Sequence, residues 1–574
     1  MKKYLFLFTI GPVQSFIAQA RKTHDLWAGS KILSDLIEYA IYALEEKVKT
    51  CKIIFPHKEI KSKPNRFIAI IESDDPKGIG MDIENKVKDQ LKKLSFDIVK
   101  KYANFDISEI FFEQIENFLE IYWVILPYEE SDYSELYGKI EGYLGSIKNI
   151  KRFRQNSLDC VESYRKCSVC GQREALFYRK SDKKPRNISF QAQEINEFRL
   201  NQGESLCGIC FIKRFYKTKS SSFSSTAKIA SLSWVEKLTQ VEIKEYKDFF
   251  KNFGEELFFD ENLRKEHLIK YDHYKDDENL EKAKKYLNNL YKKYGVPSKY
   301  YAIVMLDGDS MGKWLSGEFL SDKSHLRDFH LELSKKLGEY TDKTKEIIEG
   351  KGELVYAGGD DVLSFVNIDH LLFVMKNLRD FFPKFEEIKN VKNRNKSSAS
   401  MGVVIAHYKM PLSEVIKWAR KMEKEAKEDK KDKNKKDKKD KKDAFAIAVL
   451  KRSGEIHKIK YKWYLNGKST VDIIKSIVKS IIDKNFSSTF TKVLADELRR
   501  FKYDVNEKFI KSECKRLLKR ASNPNEVSLK SNEIEELSDK LLDLFVESYS
   551  LQNFISTLNI INFLSKEVGE LNDN

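Results

Sequence analysis

The spacing of apolar residues changes along the chain, and the changes divide it. Tyr4–Ile10, Lys52–Phe55, Arg66–Glu72 and Ile121–Leu126 are short β-branched and aromatic runs, which predict strands. Between them apolar residues recur at helical spacing, from about Val13 to Lys49 with a break near Gly29, and from about Asp82 to Phe118. The order is β-α-β-β-α-β, a ferredoxin-like unit. Residues 299–450 repeat it, with strands at Tyr301–Leu306, Glu353–Ala357, Val362–Val366 and Ser400–His407. The helices there run from about His325 to Glu349, Asp369 to Phe382 (stopped by Pro383) and Pro411 to Lys427. "AFAIAVLK" near residue 444 predicts a further strand, and from about Ser469 onward the pattern is helical. The expected class is α+β, with a ferredoxin-like unit in 1–150, a linker domain in 151–298, a second ferredoxin-like unit in 299–465 and a helical domain in 466–574.

Laying "YLFLFTIG" (4–11) over "YAIVMLDG" (301–308) places Ile10 where Asp307 stands. The first copy also has no carboxylate pair at its central hairpin. It therefore lacks the acidic chemistry that the second copy carries.

Composition adds a partner class. The chain has 574 residues, 41% hydrophobic and 12% aromatic, with a net charge of +16. Packed domains of that size and charge suit a polyanionic partner such as nucleic acid or nucleotides. Part of the excess is solvated lysine in the low-complexity run 428–443, "EDKKDKNKKDKKDKKD". The start, "MKKYLFLFTIGPVQ", imitates a signal peptide, but its short apolar stretch ends in Gly-Pro and reads better as the first strand. No segment approaches the roughly 18 apolar residues of a membrane span. A cytoplasmic location without membrane contact is expected.

Seven cysteines in this length do not make a disulfide framework. Four of them form two C-x-x-C pairs, Cys167–Cys170 and Cys207–Cys210, each with a glycine in or beside it. Two such knuckles supply four thiolates for one tetrahedral, structural Zn²⁺; a redox pair is the rival use of C-x-x-C. Cys51, Cys160 and Cys514 read as ordinary buried or half-buried thiols.

The chemistry concentrates in "VYAGGDDVLSFV" (355–366). Gly358, Gly359, Asp360 and Asp361 suit a plain hairpin with a solvated acidic tip. In a βαββαβ sheet, however, the first and third strands are central neighbours, so Asp307 converges on Asp360 and Asp361. Three carboxylates at one spot call for a cation, and hard oxygen ligands select Mg²⁺ or Mn²⁺. Gly308, Asp309, Ser310 and Gly312, in "LDGDSMGKWL", open a loop whose backbone amides can cradle phosphates. Gly11, Pro12, Val13, Gln14 and Ser15 form a comparable loop in the first copy.

"IGPVQSFIAQARKTHDLWAGSKILSDL" (10–36), the double C-x-x-C, "LDGDSMGKWLSG" (306–317), "YAGGDDVLSFV" (356–366) and "ASMGVVIAHYKMPLSEVI" (399–416) resemble, in that order, the large subunit of type III CRISPR RNA-guided complexes, Cmr branch. The resemblance implies a palm domain related to GGDEF and cyclase domains, a degenerate first palm, a zinc-bearing linker and a helical C-terminal domain. It implies CRISPR RNA, target RNA and other complex subunits as partners. It implies synthesis of a second-messenger nucleotide from ATP, usually a cyclic oligoadenylate, when target RNA binds. Many members carry an HD nuclease domain before the "GPVQSF" segment. Here that segment starts at Gly11, so the nuclease is expected to be absent, and His24-Asp25 reads as a surface or capping pair.

The expected reaction is attack of a ribose hydroxyl on the α-phosphate of ATP, with Asp307, Asp360 and Asp361 at the metals and the acceptor held around Gly11–Ser15. AMP transfer to another acceptor such as S-adenosylmethionine is the runner-up within this class. A non-catalytic RNA-binding scaffold is a separate reading, disfavoured by the intact acidic triad, and a templated polymerase is weaker because no fingers-like segment is evident. His407 is expected at a strand end near the site, satisfied by backbone. Lys417, Arg420 and Lys427 are expected on solvated positions of the following helix, any one of them a candidate for phosphate contact.

Overall fold

The computed structural model describes residues 2–571 except 59, 61, 104–107, 130–132, 151–163, 180–184, 196–198, 218–222, 393–394, 429–441, 502–505, 522–530 and 570. Most of the lysine-rich run and Cys160 lie outside the described residues.

The first unit runs β1 (Lys2–Gly11), α1 (Gln14–Ala18), α2 (Thr23–Lys47), β2 (Lys52–Phe55), β3 (Arg66–Ser73), α3 (Pro76–Tyr102), α4 (Glu109–Glu116), β4 (Glu120–Pro127) and α5 (Tyr133–Asn149). Its antiparallel sheet has the order β2-β3-β1-β4. Alternation sorts the faces. Phe6, Phe8, Phe67 and Ala69 pack under α2 and α3, while Leu5, Leu7, Ile68 and Ile70 pack toward the second unit. The break expected near Gly29 falls instead at Gln19–Lys22. Gly29 lies inside α2 because α1 crosses there: a Cβ would come within 3.3 Å of Ile17 Cα and 3.2 Å of Lys213 Cδ.

The cysteine module adds β5 (Phe177–Tyr178), β6 (Gln193–Glu194), β7 (Ser205–Leu206) and α6 (Gly208–Phe215). It shares the core of the first unit through Phe177, Leu206 and Phe211 beside Phe111. Four helices follow: α7 (Thr226–Val235), α8 (Gln240–Lys247), α9 (Lys265–Lys270) and α10 (Asp277–Tyr294). Helices α8–α10 enclose a core of their own around Tyr246 and Leu287, whereas α7 lies against the second unit. The 151–298 region thus carries two separate packing centres.

The second unit runs β8 (Tyr300–Gly308), α11 (Met311–Leu315), α12 (Leu326–Ile348), β9 (Gly352–Ala357), β10 (Asp361–Asn367), α13 (Leu371–Asp380), β11 (Ala399–His407), α14 (Leu412–Lys427), β12 (Ala444–Leu450) and β13 (Ile456–Lys462). The sheet order is β13-β12-β11-β8-β10-β9. Strand β12 adds parallel to β11 through α14, and β13 closes the sheet. The lysine alternation of "IHKIKYK" hides β13 in the sequence, although its Ile459 and Tyr461 are buried. Helices α15 (Thr470–Ile482), α16 (Thr489–Leu498), α17 (Glu507–Ala521), α18 (Ser531–Val546) and α19 (Leu551–Glu567) complete the chain. Their core is continuous with that of the second unit, and Tyr461 reaches Thr557 Oγ1 at 2.8 Å. Among the described residues no helix is long and apolar enough to cross a membrane.

Candidate active site

Antiparallel pairing sets Asp307 of β8 directly opposite Asp361 of β10, and Asp360 precedes it at the hairpin tip. Like charges directly opposite one another on a sheet destabilise it, so the ladder itself gains nothing from this pair. Burial, and then the charge of Asp360, pushes the Asp361 carboxyl up to about 7; burial also raises Asp360. The glycines make the tip possible. Gly359 sits at φ +109°, and a Cβ on Gly358 would collide with the Tyr356 hydroxyl that folds back toward Asp361. The Gly308 amide donates to Asp360 O at 2.9 Å, which ties the end of β8 to the tip. Among the described residues only the four cysteines bring three or more candidate metal donors within 4.8 Å of one another. The carboxylates are therefore gathered at one edge without closing on a point.

Lys427 of α14 covers this edge. Its ammonium engages Asp307 and pairs with Glu423 at 2.9 Å. Burial, and then Lys442, lowers its pKa to about 8. Gly402 lets α14 press onto β11, since a Cβ there would lie 2.1 Å from Glu423 N. Lys417 is exposed and pairs with Glu414, while Arg420 donates to Gln14 O at 2.9 Å. Of Lys417, Arg420 and Lys427, only Lys427 reaches the carboxylates. His407 is not near the site. Because β11 runs antiparallel to β8, His407 pairs with Tyr300 and Ser400 with Asp307, which puts the histidine at the far end of the strand.

The loop after β8 is less open than the sequence suggests. Asp309 is buried and accepts from Ser398 Oγ (2.7 Å), Ser400 Oγ (2.9 Å) and the Asp443 amide (2.9 Å). Its own amide is engaged by Ser398 O. Asp309 thus pins the loop, and with Gly308 also committed, the expected exposed amides narrow to the start of α11. Ser310 takes a left-handed conformation (φ +59°) and its hydroxyl lies 3.1 Å from Lys442 Nζ. A cleft of about 780 Å³ opens here. Met311, Gly312, Tyr356, Gly358, Asp360 and Asp361 line one wall, and Asn65, Arg66, Tyr137, Gly138 and Glu141 of the first unit line the other. A second cleft of about 850 Å³ among the C-terminal helices has one carboxylate in its lining, Glu497, and no acidic pair.

Residues 11–15 do not line this cleft. The side-chain faces also correct the superposition that sets Ile10 over Asp307. Ile10 points to the helix-covered face of the first sheet, whereas Asp307 lies on the opposite face of the second, with Met305 and Leu363. A one-residue shift reverses every side chain. With the faces matched, Thr9 and its directly opposed partner Arg66 take the places of Asp307 and Asp361.

Residues 300–436 match the family model described as Cas10/Cmr2, second palm domain, and residues 5–62 match the N-terminal model of CRISPR-associated protein Cmr2. Over these two segments the chain is similar to the Cas10/Cmr2 family. A curated relative, the CRISPR system Cmr subunit Cmr2 of Pyrococcus furiosus, is 25% identical across 80% of this chain, which spans 63% of that relative's length. Two solved structures share the fold at a TM-score of 0.65 and 16% identity over 98% of this chain: Type III-B Cmr-beta bound to cognate target RNA (83% of that chain covered) and its apo state (82%).

In this chain the four cysteines meet as the spacing predicts. Cys170 Sγ and Cys207 Sγ are 3.8 Å apart, matching the edge of a tetrahedron with Zn–S bonds of about 2.3 Å. The Val169 and Cys210 amides point at Cys167 Sγ and Cys207 Sγ, each at 3.4 Å. The donor set fits a zinc ion. Below it, Asp25 is fully buried, not on the surface. It caps the start of α2 through the Arg21 and Lys22 amides and receives Arg214 at 2.6 and 2.9 Å. Burial alone would raise this carboxyl; the Arg214 guanidinium overrides it and holds it well below the usual range. His24 lies 3.1 Å from Tyr216 O. The pair therefore joins the first palm to the cysteine module. Sequence reading missed Arg66, Tyr137 and Glu141, which belong to no motif, and Tyr356, which opens the 356–366 motif but carries no signal of its own there; the one available signal for Arg66 is a cation placed directly before the apolar run of β3.

Proposed function

We propose that this chain is a metal-dependent nucleotidyltransferase that makes a second-messenger nucleotide from ATP within a cytoplasmic, RNA-guided Cmr-type complex. Its partners would be the other subunits, CRISPR RNA and target RNA. The observation that carries the reading is the opposed Asp307–Asp361 pair with Asp360 beside it, at the edge of a cleft large enough for nucleotides. Folding gains nothing from that arrangement, so its use is chemical.

Asp307, Asp360 and Asp361 would hold Mg²⁺ or Mn²⁺, which when bound would neutralise phosphate charge and acidify the attacking hydroxyl. The start of α11 receives the triphosphate of one ATP. Lys427 and Lys442 bring two ammonium groups to the same loop, where they meet the charge of the departing pyrophosphate. The acceptor hydroxyl forms the new O–P bond at the α-phosphate, the bond to pyrophosphate breaks, and the hydroxyl proton passes to solvent. Asp309 keeps the loop in place through its buried hydrogen bonds. Cys167, Cys170, Cys207 and Cys210 hold a structural Zn²⁺ with no open position for catalysis.

The test is incubation of the purified, target-RNA-bound complex with ATP, alone and with S-adenosylmethionine, and mass spectrometry of the products. Wild type should release pyrophosphate and form an adenylate product, and the Asp360→Ala/Asp361→Ala double variant should form none. Substantial product from the double variant would refute the assignment.

A further inference from the structure

The cleft has two chemically different walls. The second palm presents Asp360 and Asp361. The first presents Arg66, the first residue of β3, on the same face as Ile68 and Ile70, which turns its side chain toward the second palm. Glu141 Oε1 holds Arg66 Nη1 at 2.9 Å, and the Tyr137 hydroxyl lies beside both. The ion pair is about a quarter exposed on each side, so it is oriented yet open to the cleft. A guanidinium carries several N–H donors in a planar fork suited to phosphate or carboxylate, and the Glu141 contact uses one of them. Arg66 also stands where the second palm has Asp361, once the sheet faces are matched.

We infer that the first palm recognises an anionic group on the acceptor through Arg66, and that the Gly11–Ser15 loop does not bind it. This rests on the transferase reading above. A substrate with an anion at one end and a hydroxyl at the other is oriented by these walls, its anion on Arg66 and its hydroxyl toward the carboxylates. The anion is a phosphate if the acceptor is a nucleotide and a carboxylate if it is an amino-acid-bearing nucleoside. Against the loop, residues 11–15 lie outside the cleft lining. Gln14 O is occupied by Arg420, and a Cβ on Gly11 would sit 3.5 Å from the Glu120 carboxylate, a poor neighbour for an anion.

Gly138 supplies an independent probe. It lines the same wall from α5, and a Cβ there meets nothing within 4 Å, so Gly138→Leu grows into the cleft without disturbing the core. Gly142, one turn further along α5, is equally open but outside the lining, and Gly142→Leu is the control. Leucine is the better helix former, so neither change opposes α5.

The experiment uses the full chain in its RNA-bound complex. It measures equilibrium binding of α,β-methylene-ATP, which needs no turnover, and the acceptor concentration giving half-maximal product, with ATP alone and with ATP plus S-adenosylmethionine. Arg66→Ala should raise the half-saturating acceptor concentration by about tenfold or more with the saturating rate little changed, the size expected for one charge-assisted contact. Arg66→Lys should fall between, Gly138→Leu should act like Arg66→Ala, and Gly142→Leu should behave as wild type. The arm in which half-saturation moves identifies the anion as phosphate or carboxylate. Unchanged half-saturation in Arg66→Ala, or loss of saturating rate alone, overturns the inference and leaves the transferase reading standing. If wild type binds the analogue but forms no product, the transferase reading falls. Weakened analogue binding by Arg66→Ala would then still support Arg66 as the anion contact, and unchanged binding would overturn it. No binding by wild type overturns both.

Discussion

His330 should make the contact between the palms acid-sensitive. It lies on α12 of the second palm, 97% buried, with Nε2 2.9 Å from Leu315 O and Nδ1 2.9 Å from the Tyr133 hydroxyl of the first palm. A carbonyl only accepts, so Nε2 carries the proton and Nδ1 takes the Tyr133 O–H. Burial pushes the pKa from 6.5 to about 4; the Leu315 bond opposes this and the Arg66 charge adds to it. Between those values the unfolded chain takes up a proton that the folded chain refuses. The stability contribution is therefore complete above pH 6.5 and is lost as pH falls toward 4. Linkage between 6.5 and about 4 gives a loss of about 2 kcal/mol at pH 5, roughly 30-fold in local opening. Hydrogen exchange of α12 amides, corrected for intrinsic rates, reads this directly. From pH 8 to 5, wild type should lose about 30-fold more protection than His330→Gln, in which every other titrating group is retained. A wild-type-to-variant ratio that stays constant over that range would refute the burial argument.

Asp309→Ala should lower the unfolding midpoint by the equivalent of about 1–3 kcal/mol, because it strips the buried Ser400 hydroxyl and the half-buried Ser398 hydroxyl and Asp443 amide of a charged acceptor. The Asp360→Ala/Asp361→Ala variant should melt no lower than wild type, and equal destabilisation of the two in thermal unfolding would contradict the division between pinning and reacting carboxylates. Cys207→Ser should reduce zinc from one per chain to none in elemental analysis and open the cysteine module to limited proteolysis; wild-type protein purified without zinc would rule the metal out.

What was legible depended on how local each signal is. The βαββαβ order could be read twice because strand and helix periods differ and glycines and prolines mark the boundaries. That Asp307 stands opposite Asp361 at the hairpin followed from topology alone, since the first and third strands of that order must be neighbours, whereas their closing on a single point did not follow. The meeting of the C-x-x-C pairs followed from ligand spacing. What escaped was set by tertiary packing. The position of Gly29 depends on where α1 crosses α2, and Asp309 looks like a ligand until Ser398, Ser400 and Asp443 are brought around it. His407 lies at the end of β11 far from the site because β11 runs antiparallel to β8, a direction that the residue pattern of the strand does not carry. The Ile10 superposition failed by a single residue because string similarity does not register which face of the sheet a side chain takes.

That one-residue correction changes how the repeat is understood. With Ile10 over Asp307, the first palm is a copy that lost its acid to a hydrophobe and kept a loop. With Thr9 and Arg66 over Asp307 and Asp361, it carries a cation where the second palm carries an acid. Two acidic palms facing one cleft would repel each other and could not distinguish two ends of a substrate. An acidic and a basic palm across about 780 Å³ can do so, because each accepts the group that the other rejects. Glu141 then tempers Arg66 as Lys427 tempers Asp307: each reactive charge has a partner from its own palm, so neither has to bridge the cleft to be neutralised. A direct Arg66–Asp360 bridge would fill the space that the substrates need. The own-palm partners keep the two walls apart, and on the reading proposed here that separation lets the cleft admit two ligands of opposite demand.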